Sequence, residues 1–195
     1  MHVHRGFMKA LATLLTCLAI GACAAHPSLR PTEIFEEHSG NTLVVVAEPL
    51  VFARERTDVA AHARDYATLV AFEIDHSGKY SDYLLLYRWS TVDSRMSPPP
   101  SNREGELRIL ADGRSIDLTP LPGLPLTLSH THQMHLPSHG DVVAHAYDAD
   151  PATLRYIASS HELSVRMPLE RLDTPFALFE DGRAALAEFA GKPSQ

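Results

Sequence analysis

The chain has 195 residues, with 24 acidic against 17 basic side chains and a formal net charge of −7 at pH 7. That balance disfavours a nucleic-acid partner, which would have to meet a basic face, and disfavours direct adhesion to anionic lipid. Cys17 and Cys23 are the only cysteines, too few for a disulfide framework or a Cys-rich metal centre.

Arg5 and Lys9 are the only charged residues before Arg30, and an apolar run from Ala10 to Ala22 follows Lys9. A basic head, a short apolar core and small residues ahead of a cut site form the secretory pattern. The run falls short of the ~20 apolar residues that a spanning helix needs. It ends in Ile20-Gly21-Ala22-Cys23. At this point the chain resembles a bacterial lipoprotein precursor, whose lipobox places an aliphatic residue and two small ones before a cysteine. The resemblance implies that residues 1–22 are a signal peptide and that the Cys23 sulfur is alkylated with diacylglycerol. It also implies that the amine freed by cleavage is acylated, with palmitate as a typical chain. Each buried methylene adds ~0.8 kcal/mol, and two chains already anchor stably.

Ala24, not Asp, follows the cysteine. By analogy with enterobacterial lipoproteins this implies an outer-membrane lipoprotein facing the periplasm, with the lipid as its membrane contact and other envelope proteins as possible partners. Cys17 fits less well, because Leu14-Leu15-Thr16 puts a larger residue at the cut. Met8-Lys9 is a more typical start for such a head than Met1. Residues 1–22 carry two of the 17 basic residues and none of the 24 acidic ones, so their removal leaves a formal charge of −9. The remaining cysteine would then be a thioether, which excludes thiolate catalysis and leaves His, Asp and Glu as metal ligands.

Residues 23–40 are expected to form the lipidated terminus and tether, with Pro27 and Pro31 opposing regular structure. Thr32 is placed as the cap of a brief turn through Glu36. A single folded domain is expected over 41–192. Leu43 to Ala47 reads as a β-branched strand, and Leu50-Val51-Phe52, beyond Pro49, as a second. Residues 54–65 are charged, and Asp58, Arg64, Asp65 and Asp75 read as solvated. Tyr66–Asp75 and Tyr80–Thr91 form a hairpin around His76-Ser77-Gly78-Lys79. In its second strand both faces carry apolar residues, so the line Tyr83, Leu85, Tyr87, Trp89 reads as core.

Pro98-Pro99-Pro100 marks an exposed loop. Glu106–Ala111 and Arg114–Thr119 flank Asp112-Gly113, a type I′ hairpin signal. Residues 126–136 and 142–148 suggest a third hairpin. Asp150 then caps a helix that has Pro151 at its first position, and Leu163, Val165 and Met167 alternate in a strand. Asp181 is expected to cap a last helix with Leu186, Phe189 and Ala190 on its buried stripe and Gly191 at its end. The pattern predicts an α+β fold: a largely antiparallel β-sheet with two short C-terminal helices.

Five of the 12 histidines fall at His130, His132, His135, His139 and His145. If 126–136 is a strand, His130 and His132 share a face about 6.6 Å apart, and His145 from the paired strand could supply a third ligand for Zn or Cu. The competing reading is a polar hairpin with exposed histidines, since no carboxylate is fixed beside the pair to orient a ring. No Gly-x-Ser-x-Gly elbow and no Gly-rich phosphate loop exists, so no catalytic residue is assigned. The expectation is a lipid-anchored binding or structural module. The alternative is a periplasmic metal-binding protein or metal-dependent enzyme.

Overall fold

The computed structural model describes residues 28–92, 105–130, 142–168 and 174–192. Ten strands form one sheet: β1 (Thr32–Glu36), β2 (Asn41–Val45), β3 (Leu50–Glu55), β4 (Arg64–His76), β5 (Lys79–Ser90), β6 (Leu107–Ala111), β7 (Arg114–Leu118), β8 (Val143–Asp148), β9 (Leu163–Arg166) and β10 (Phe176–Glu180). Among the described residues three short helices accompany them: α1 (Leu126–His130), α2 (Pro151–Ser159) and α3 (Arg183–Ala190). Every strand pair is antiparallel. The expected α+β class, with helices segregated late in the chain, is what the structure has.

The organising unit is the β4–β5 hairpin. Its register runs without interruption from Asp65↔Ser90 to His76↔Lys79. Ser77 (φ 54°) and Gly78 (φ 84°) both take left-handed backbone, which matches the twist of the flanking strands. Asp112 (φ 47°) and Gly113 (φ 78°) do the same between β6 and β7. On its other edge β4 pairs first with β3, over Arg64–Leu69, and then with β2, over Phe72–Asp75. The chain bends between those two strands at Val46–Pro49, where proline offers no N–H to a ladder.

The strand path runs β8-β5-β4-β3-β10-β9-β6-β7. Three residues beyond β7, Leu121 N donates to Ala146 O of β8 at 2.8 Å, and Tyr147 Oη donates to Gly105 O at 2.5 Å. The path therefore curls back toward its own start. One face lines the inside, in cross-strand rows of Leu50, Leu69, Leu86 and His145, then Phe52, Ala67, Arg88 and Val143, then Arg54, Asp65 and Ser90. Phe52, Leu86, Ile109, Tyr147 and Val165 are wholly buried there. α2 adds Leu154 and Ile157 to this core, and α3 adds Leu186, Phe189 and Ala190.

Three local expectations are corrected. Residues 32–36 form β1 against β2, not a capped turn, so the sheet begins nine residues before position 41. Residues 126–130 are helical, so the hairpin expected from 126–136 is replaced over that span, and β8 pairs with β5 instead. Asp150 does cap α2, accepting from Thr153 N at 2.9 Å. The cap position of α3, however, is Gly182; one residue earlier, the Asp181 carboxylate accepts from Arg183 N at 3.1 Å as well as from the Arg183 guanidinium.

Candidate functional site

Two arrangements occupy the same end of β3, β4 and β5, one on each face. On the inner face, Asp65 accepts from Arg54 Nη2 at 2.8 Å, Arg56 Nη1 at 3.0 Å and Ser90 Oγ at 2.7 Å. Both arginines are buried, with Asp65 nearly so. Arg56 also grips Asp58 through two bonds of 2.9 and 3.1 Å, and Arg54 lies 4.2 Å over the Phe176 ring. Burial pushes the Asp65 carboxyl up, but the bonds from Arg54, Ser90 and Arg56 outweigh it and hold the group below its ordinary range. Guanidinium groups cannot act as bases, and this carboxylate is already spent on them. The network is a clamp between β3 and β4; it holds no free catalytic group.

On the outer face, the register places Ala177, Ala53, Tyr66 and Trp89 in one row across β10, β3, β4 and β5. Tyr66 and Trp89 stack with centroids 4.0 Å apart and planes 8° from parallel. Phe179 meets Tyr66 edge-on at 5.6 Å and 76°. The pairing of β10 with β3 shifts between Leu178 and Glu180, leaving Phe179 as the extra residue of a bulge. Bulges re-aim side chains, and Phe179 is 50 % exposed as a result. Arg64 sits 5.5 Å over its ring and pairs with Glu55 at 3.2 Å. Ala53, Glu55, Arg64, Ala177, Leu178 and Phe179 line a groove of about 170 Å³.

A third feature is electrostatic. Glu73 and Asp82 stand directly opposite in the β4–β5 ladder. Burial, then Glu73 and Asp150, push the Asp82 carboxyl up to about 6, against the pull of Lys192. An acid with a raised folded pKa binds more protons folded than unfolded between its ordinary value and about 6, so stability falls as pH rises through that window. Asp82→Asn is therefore expected to raise the melting temperature by a few degrees at pH 8, screening having reduced the effect. The gain should shrink to nothing near pH 4, as followed by thermal melts across pH.

The histidines are only partly in view. His145 lies on β8 opposite Leu86, half-buried. His130 ends α1, so the two-residue strand spacing does not apply to it. His132 and Cys23 lie outside the described residues. Among the described residues no three His, Cys, Asp or Glu side chains come together as a metal site. The aromatic line of β5 divides: Leu85 and Tyr87 are core, while Tyr83 and Trp89 are half-buried. The clamp and the bulge left no mark in the sequence beyond a charged stretch and a pair of phenylalanines. Compared with known proteins, the chain matches no family model, no curated protein and no solved structure.

Proposed function

We propose that the chain is a lipid-anchored envelope lipoprotein facing the periplasm from the outer membrane, working as a binding module and not as an enzyme. The observation that carries this is the ordered sequence of basic head, apolar run and Ile20-Gly21-Ala22-Cys23. The position of β1 is in keeping with it: only residues 24–31 separate the modified cysteine from the sheet. At ~3.3–3.6 Å per extended residue that segment reaches at most about 30 Å, so the domain stays near the bilayer.

Intact mass of the mature protein tests the reading. The expected species begins at Cys23 and carries a diacylglyceryl thioether and an acylated amine. Cys23→Ala should move the protein from the membrane fraction to the soluble one. A mature chain starting elsewhere, or an unmodified sulfur, overturns the anchor. Zinc or copper in one-to-one amount in untagged protein, lost on His130→Ala, His132→Ala and His145→Ala, would favour the metal-binding alternative instead.

A further inference from the structure

We draw no further inference here: the strongest candidate, the outer-face aromatic cluster of Tyr66, Trp89 and Phe179 across β4, β5 and β10, is an apolar patch, and nothing in the structure shows what covers it.

Discussion

Asp65→Ala is expected to destabilise the domain by about 3 kcal/mol, the lower end of what is lost when one partner of a buried ion pair is removed. The lower end applies because Arg56 keeps its two bonds to Asp58, while Arg54 loses the carboxylate it holds at 2.8 Å. The loss is one of desolvation: Arg54 cannot discharge its proton, and it lies buried beside the Phe176 ring, away from water. Urea denaturation should show it as a shift in midpoint with little change in slope. Replacing both partners, as Arg54→Met with Asp65→Leu, should recover most of the loss, because an apolar pair of similar volume avoids the desolvation. Asp65 also makes acid sensitivity predictable. Its depressed pKa contributes stability above the ordinary carboxylate range, lost as pH falls through and below it. In Asp65→Asn that part of the acid dependence should vanish. A cost under ~1 kcal/mol for Asp65→Ala would mean that the clamp is a surface pair in energetic terms.

The clamp shows why some of this molecule is legible in its sequence and some is not. The β4–β5 and β6–β7 hairpins are local: Ser77-Gly78 and Asp112-Gly113 supply left-handed backbone where two-residue turns need it, and the alternation on either side does the rest. The Asp65 clamp depends on register between strands. Arg54 meets Asp65 because β3 and β4 align them, and Ser90 joins because β5 does. Nothing in the charged run 54–65 distinguishes that carboxylate from Asp58 beside solvent, so reading both as solvated holds for Asp58 and fails for Asp65.

Residues 126–130 mislead for a different reason. Leu126 and Leu128 alternate with Thr127 and Ser129, which is strand periodicity. One helical turn is too short for a 3.6-residue period to declare itself. The turn is fixed by Leu128 N donating to Pro125 O, and by Thr127 Oγ1 accepting from Asn41 Nδ2 at 2.8 Å. Leu128 is buried while Leu126 stands in solvent. β10 escapes the sequence pattern because its bulge breaks the alternation at Phe179, and that same break creates the groove.

Gly182→Ala is expected to cost about 3 kcal/mol, at the upper end for overpacking. A β-carbon there would lie 2.3 Å from Pro49 O and 2.7 Å from Glu48 O. Backbone conformation is not the obstacle, since Gly182 has φ −87°. The obstacle is space, and the atoms in the way are main-chain atoms of the bend between β2 and β3, which no rotamer change can move. Relief must come from α3 backing away, and that uncovers Ala185 and Leu186, now almost fully buried. This also explains why Asp181 does not hold the capping position that its sequence context suggests: the residue at that position touches the bend, and only glycine fits. Gly123→Ala is the matched control, since a β-carbon added there meets nothing within 4 Å and the backbone is ordinary. It should stay within ~0.5 kcal/mol of the parent. Urea midpoints for the two variants decide the matter. If Gly182→Ala is as stable as Gly123→Ala, α3 does not press on the bend, and the helix is held by its apolar stripe alone.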